Sequence, residues 1–335
     1  MKQIRWGIIG CGGIAEKRTI PGLLQAHNAV CSAVMDVNVE RMKFVQEAFH
    51  ISRGYTCIDE LLCQTDIDAV YIATPVFCHK EQVKAAADAG KHILLEKPMG
   101  ITVSEAEEIR EYCMEKNVLL GIGFMMRFHD AHQKIKKLIQ TDAIGEVVSA
   151  YAKFNCWASP ETETMWRQIR KKGGGGAMMD MGIHCVDLLQ YITGLHTKSV
   201  MAFCGNQIFS YVDVDDAATA IMKMDNGAFF VVEANFNIPE EFGCKFEIYG
   251  TKGCVLAENT LGQTETGEVR IKTTKQIEQV LEYTKGNMYT KEIEAFSNAI
   301  LQQEEVPVTS LEGVVNQKII EAIYKSQEMG CRVQL

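Results

Sequence analysis

The sequence predicts an α/β chain of two domains: an N-terminal doubly wound parallel sheet, then an α+β domain built on one large, open, mainly antiparallel sheet. Three observations carry this. Over the first 122 residues short apolar strands alternate with segments of helical period. A glycine-rich turn, Gly10-Cys11-Gly12-Gly13-Ile14-Ala15, follows the first strand and opens the first helix. Beyond about residue 123 the alternation stops, and strands follow one another through short turns. Strands that alternate with helices pair in parallel and are buried on both faces. Consecutive strands joined by tight turns pair antiparallel.

In order, Ile4 to Ile9 reads as a strand, Ile14 to about His27 as a helix, and Val30 to Met35 as a strand. Val39 to Phe49 is helical, Asp68 to Ala73 a strand, and Lys80 to Ala89 a helix. Ile93 to Leu95, the helix Val103 to Lys116 and the strand Val118 to Ile122 complete the first domain, residues 1–122. The second, 123–335, opens with a helix near Ala131 to Ile139 and a long strand from Glu146 to Ala158. A helix from about Asp180 to Ile192 follows. Five strands come next: Ser199 to Phe203, Ala217 to Lys223, Ala228 to Phe236, Lys245 to Tyr249 and Cys254 to Ala257. Asp225-Asn226-Gly227 and Gly250 to Gly253 are hairpin-type turns. Lys291 to Leu301 and Leu311 to Met329 are closing helices, with room for the last to pack back on the first domain.

The chain has 335 residues and a formal net charge of −9. Two domains are natural at this length. An acidic surface argues against nucleic acid and against anionic membranes. No apolar run approaches the ~20 residues of a membrane span. The N-terminus shows no signal-peptide layout. Twelve cysteines without a CxxC pair are expected to be free thiols in a reducing cytoplasm.

The turn after the first strand fits GxGxxG with alanine last, the Rossmann dinucleotide fingerprint. Gly10 permits the tight turn, Gly12 and Gly13 let backbone approach a pyrophosphate, and Ala15 keeps the helix close to the sheet. Ile14 begins the helix, whose N–H groups favour phosphate. Asp36 ends the second strand, about twenty residues on, where an acid accepts ribose hydroxyls and repels a 2′-phosphate. The nearest basic residue downstream is Arg41, five positions on. NAD is therefore expected rather than NADP. The plainer reading of Asp36 is a helix cap.

Lys97 lies just past the fourth strand, where open α/β sheets bind ligands, and Pro98 biases it away from helical geometry. A solvated lysine is the alternative. Farther on, Gly173 to Gly176 lead into Asp180 and His184. Four apart on a helix, these two share a face, with about 5–6 Å between Cβ atoms. The glycines let backbone pass close to a ligand. A histidine is the natural base for an alcohol, and a carboxylate stabilises its charged form. Alternatively Asp180 caps the helix and His184 is a buried, satisfied histidine. A metal would need a third ligand beyond Asp180 and His184, and the spacing of His129 and His132 ties neither to this helix; no metal is expected.

Thr74-Pro75-x-x-x-His79, Ala89-Gly90-Lys91-His92, Glu96-Lys97-Pro98 and Asp180-x-Gly182-x-His184 occur in this order behind the glycine motif. Together they resemble the Gfo/Idh/MocA oxidoreductases over essentially the whole chain. The resemblance implies a catalytic trio of Lys97, Asp180 and His184. It implies that Thr74, Pro75, His79 and Glu96 line the cofactor, and that Arg127, in Gly123 to Phe128, sits near the nicotinamide. Trp166 and Arg167 resemble a pair found in several members and would touch cofactor or substrate. The chain departs from the common pattern at Asp130 and Ala143. Asn155 and Asp187 are further polar candidates for substrate contacts.

The resemblance implies hydride transfer between nicotinamide and a secondary hydroxyl or keto group of a sugar, cyclitol or glycoside, by a homodimer or homotetramer, and the cysteine usage places it in the cytoplasm. One alternative is a glycosidase that uses bound NAD transiently; the same trio would serve it. Another is a cofactor-sensing regulator, which the intact trio opposes.

Overall fold

The computed structural model describes residues 2–158, 165–275 and 278–335. The chain divides into two compact units: 1–125 with 287–315, and 126–286 with 316–335.

The first unit holds strands β1 (Ile4–Ile9), β2 (Ala29–Met35), β3 (Gly54–Tyr55), β4 (Ala69–Ile72), β5 (His92–Glu96) and β6 (Leu120–Gly123). They form one parallel sheet in the order β3-β2-β1-β4-β5-β6. Both faces are covered, as β1 illustrates. Trp6 and Ile8 join a buried cluster with Leu23, Ile293 and Phe296, while an added Cβ at Gly7 would meet Leu61 and Ile67. The order reverses between β1 and β4, the switch point where such sheets bind ligands. There the turns after the two strands touch: a Cβ on Gly10 would lie 2.8 Å from Cγ2 of Thr74.

The predicted first helix is interrupted. Ala15–Thr19 is a π-helical turn, and the α-helix α1 covers Ile20–Gln25. Pro21 lacks the N–H that a regular ladder would use, which favours the break. The short strand β3 and the helix α3 (Ile58–Leu62), between α2 (Val39–Phe49) and β4, were not foreseen; neither is long enough to display a period. The helix α4 spans His79–Asp88 and α5 spans Val103–Glu115. At the start of α5, Thr102 accepts the Glu105 N–H, and Glu105 in turn accepts the Ile101 N–H at 2.8 Å. This capping exchange fixes the loop that follows Lys97 and Pro98.

The second unit holds β7 (Val147–Asn155), β8 (Thr197–Gly205), β9 (Ala217–Met224), β10 (Phe229–Asn235), β11 (Lys245–Gly250), β12 (Gly253–Glu258), β13 (Glu268–Thr273), β14 (Gln279–Val280) and β15 (Val333–Gln334). The order is β14-β13-β12-β11-β7-β10-β9-β8-β15. Pairing is antiparallel except between β7 and β10. Chain neighbours β10 and β11 thus do not pair; β7 lies between them, and the connection 236–244 is too long for a hairpin. On β9, Ala218, Ala220, Met222 and Met224 are buried while Thr219, Ile221 and Lys223 are exposed. The buried face receives α8 (Ile183–Thr193), which packs on β7 and on α6 (Asp130–Gln140); the short helix α7 (Arg170–Gly173) lies between them in sequence. Across the other face Met201, Ile221, Val231 and Tyr151 stand in register.

The last helices are α9 (Met288–Gln302) and α10 (Ser310–Met329). In the first unit Trp6 donates to the Ser297 hydroxyl at 3.1 Å and its ring meets Phe296 at 5.5 Å. Sequence periodicity marks α9 as a helix but does not say which unit it joins. Among the described residues no helix is long and apolar enough to cross a membrane, and all twelve cysteines are free thiols.

Candidate active site

In the first unit, Gly10 has φ +96°, a conformation that excludes most side chains. At Gly13 an added Cβ would meet nothing within 4 Å, and at Gly12 only Nη1 of Arg41, at 3.8 Å. Nothing in the protein therefore explains glycine at these two positions. The space they leave is a cradle of the kind a pyrophosphate enters, at the point where the helical run begins with Gly13. Cys11 inside this turn is not a nucleophile: burial pushes its thiol up to about 12.

Asp36 borders the cradle. One carboxylate oxygen accepts the Cys11 N–H at 2.8 Å and the other the Asn38 N–H at 2.8 Å. The cap of α2 is Asn38, which accepts the N–H groups of Glu40 and Arg41. Asp36 is thus not the helix cap. Arg41, distant from the motif in sequence, brings its guanidinium beside Gly12, so the surroundings of the glycine turn carry both signs of charge.

The next predicted group converges at the ends of β4 and β5. His79 is fully buried. Its ring nitrogens lie 3.0 Å from the Thr74 carbonyl and 3.1 Å from that of Pro98, so the ring packs between the Thr74-Pro75 turn and the Lys97-Pro98 segment and, when neutral, donates to one of the two carbonyls. Burial holds the His79 pKa down to about 4. The Lys97–Pro98 peptide is cis. Glu96 accepts the Tyr71 hydroxyl at 2.7 Å and the Lys97 N–H at 3.2 Å. Lys97 follows directly, half-buried. Tyr71 was not singled out in the sequence because it sits inside an apolar strand.

In the second unit Asp180 lies in a π-helical turn, Met178–Gly182, that runs on into α8 with His184 in its first turn. The helix thus starts earlier than its apolar period suggests. Arg167 approaches Asp180 at 3.4 Å and lies over the Trp166 ring at 4.4 Å. The predicted Trp166-Arg167 pair and Asp180 therefore share one neighbourhood. His184 is buried, with the Phe154 ring 6.2 Å from its own.

The glycine run before this helix has a different cause from the one expected. A Cβ at Gly175 would sit 2.2 Å from the Tyr324 hydroxyl, and one at Gly176 only 1.9 Å from the Asp215 carbonyl oxygen. These glycines admit protein, not a ligand. Asp215 and Tyr324 escaped the sequence reading; an acid at the mouth of an apolar strand was the available signal for the first.

Arg127 is engaged inside the second unit. It forms a two-point pair with Asp187, at 2.9 and 2.5 Å, both side chains almost wholly buried. Asn316 donates to the same carboxylate at 2.7 Å. Asn155 accepts from Asn235 and donates to the Gly243 carbonyl. Asp187 and Asn155 thus serve internal networks. His129 and His132 stack on each other, ring centroids 4.4 Å apart. Their nitrogens meet backbone groups of Ala131, Thr266 and Met126. Among the described residues no three His, Cys, Asp or Glu are grouped to hold a metal ion.

Residues 4–124 match the family model described as an oxidoreductase family with an NAD-binding Rossmann fold, and 132–256 match the GFO/IDH/MocA C-terminal domain. The chain is 29% identical over 315 residues, 92% of each sequence, to 1,5-anhydro-D-fructose reductase of Ensifer adhaerens. Among solved structures, aldose-aldose oxidoreductase of Caulobacter crescentus, complexed with glycerol, superimposes with a TM-score of 0.93 over the full length of both chains at 24% identity. Levoglucosan dehydrogenase, in complex with NADH and levoglucosan, does so with a TM-score of 0.89 over 99% of each chain at 25% identity.

Proposed function

The chain belongs to the Gfo/Idh/MocA oxidoreductases, and on that footing we propose that it transfers a hydride between NAD and a secondary hydroxyl or keto group of a sugar, cyclitol or glycoside, with Lys97, Asp180 and His184 as its catalytic trio. The observation that carries this reading is the cradle at Gly12 and Gly13, where no protein atom crowds the backbone, beside the Asp36 carboxylate.

The residues divide the work as follows. Gly10, Gly12, Gly13 and Ile14 hold the pyrophosphate, and Asp36 accepts the adenosine ribose hydroxyls. Thr74, Pro75, His79 and Glu96 shape the wall that carries the rest of the dinucleotide, which supplies the hydride acceptor. His184 takes the hydroxyl proton, and in the reverse direction returns it. Asp180 stabilises the charged imidazole, and Arg167 beside it limits how much negative charge the carboxylate presents. Lys97 hydrogen-bonds the reacting oxygen and offsets its developing charge. The named activities of two relatives, on 1,5-anhydro-D-fructose and levoglucosan, support a sugar-like substrate. Asp36 supports NAD over NADP. The apolar row Met201, Ile221, Val231 and Tyr151, its first two members exposed and its last two half-buried, supports a homo-oligomer built on that sheet face.

The test is NADH formation from NAD by purified protein with a panel of cyclitols, free sugars, anhydro sugars and glycosides. The expected result is a response to one class that His184→Ala lowers by ~10²–10⁴-fold while NADH binding persists. Loss of NADH binding in that variant would remove the assigned role. Net hydrolysis of a glycoside without NADH release would replace the reading with the transient-oxidation mechanism. Light scattering checks the assembly: a monomer would rule out the sheet-face oligomer.

A further inference from the structure

A helix leaves its first four N–H groups without internal partners. In the run that carries Asp180 and His184 these are the N–H groups of residues 176–179, since Asp180 is the first to bond back, to the Gly176 carbonyl at 3.0 Å. The residue at the helix start, Ala177, has no side chain that could cap it. Two residues remote in sequence supply what is missing. Asp215 accepts the Gly176 and Met178 N–H groups on its two carboxylate oxygens, each at 2.9 Å, and the Ala177 N–H on its backbone carbonyl at 2.9 Å. Tyr324 accepts the Gly176 and Met179 N–H groups at 3.2 Å and donates to Asp215 at 2.8 Å. One aspartate and one tyrosine account for all four donors.

We propose that Asp215 and Tyr324 are positioning residues of the reaction: as a remote cap they fix the angle at which this helical run presents Asp180 and His184, an inference that rests on the catalytic reading given above. The geometry explains why a cap matters here. Asp180 sits inside a π-turn. Such a turn accommodates one more residue than an α-turn. Each residue of register is worth about 100° of rotation about the helix axis. Where the helix starts therefore decides which way Asp180 and the residues after it point. Both capping residues are fully or almost fully buried. The glycines at 175 and 176 are what lets them approach.

The test compares wild type with Tyr324→Phe, which removes one oxygen and keeps the ring, and with Asp215→Asn, which keeps the shape and one acceptor. The imidazole titration of His184 is followed by NMR, its signal assigned by its loss in His184→Ala. Turnover is measured on the panel sugar that wild type oxidises fastest. In both variants the His184 midpoint is expected to move by about half a pH unit or more, and turnover to fall about tenfold or more. NADH affinity stays within about twofold of wild type, since the cradle is untouched. Circular dichroism confirms which variant is folded, and either one suffices. An unchanged His184 titration in a folded variant overturns the proposal, even where its melting temperature drops. Full turnover in His184→Ala would instead overturn the catalytic reading, and the titration would still judge the cap.

Discussion

The Asp36 carboxylate accepts the Cys11 N–H at 2.8 Å, so the acid that ends β2 is bonded to the turn that ends β1. This contact gives Asp36 a duty in shaping the turn that is separable from the ribose contact proposed for it. Arg41, beside Gly12, is poised to favour a 2′-phosphate once the acid is gone. Asp36→Ser is expected to weaken NADH about tenfold or more, the worth of a hydrogen bond to a charged group, and to hold or tighten NADPH. Fluorescence titration with both nucleotides reads this directly. Equal losses for the two would mean that Asp36 only shapes the turn.

His79 gives the first unit a pH dependence with a definite sign. Burial keeps its pKa near 4, against an ordinary value of 6.5. Between these values the unfolded chain binds a proton that the folded chain refuses. The stabilisation is complete above pH 6.5 and is lost as the pH falls toward 4. From pH 7 to pH 5 this amounts to about 2 kcal/mol. His132 is also depressed by burial, so the slope of wild type alone is ambiguous. Urea unfolding of His79→Asn at the two pH values isolates the His79 contribution: the variant should lose about 2 kcal/mol less than wild type on acidification. Parallel losses would contradict the assignment.

Arg127 and Asp187 are paired out of contact with water, which fixes how their variants should behave. Asp187→Ala removes the carboxylate with which this buried guanidinium pairs and should cost about 3–5 kcal/mol in chemical denaturation. The double variant Arg127→Met with Asp187→Leu should recover most of that. A cost below about 1 kcal/mol for the single change would mean that water or another group reaches Arg127.

The two periods of the chain made the architecture legible. The apolar runs of β1, β4 and β5 and the spacing of α5 could be read without a structure. The short β3 and α3 could not, because a few residues display no period. The place of β7 between β10 and β11 could not either, because a strand's pattern records which face is buried and not which neighbour it meets. At the site, the motifs singled out Gly10, Gly12, Gly13, Asp36, Lys97, Asp180 and His184 as positions. Their partners were hidden: Asp215 and Tyr324 reach the glycine run through contacts that span 39 and 148 residues. Arg41 stands far from the glycine motif along the chain, and folding removes that distance.

The glycines at 13 and 176 look alike in sequence and differ in cause, which yields opposite outcomes for the same substitution. At Gly176 a methyl group would lie 1.9 Å from the Asp215 carbonyl oxygen, and backbone cannot yield that far. Gly176→Ala is expected to destabilise the second unit by several kcal/mol, at the upper end of single substitutions. At Gly13 a methyl group meets no protein atom, and the backbone is not in a glycine-only region. Gly13→Ala should leave the melting temperature unchanged or raise it slightly, because alanine is less flexible in the unfolded chain. A methyl group on a cradle that receives a pyrophosphate must nevertheless weaken dinucleotide binding. The paired measurement is a melting curve with and without NADH. Gly13→Ala should lose the ligand-induced rise while keeping the ligand-free melt. A full NADH shift in Gly13→Ala would mean that the pyrophosphate does not pass over this turn.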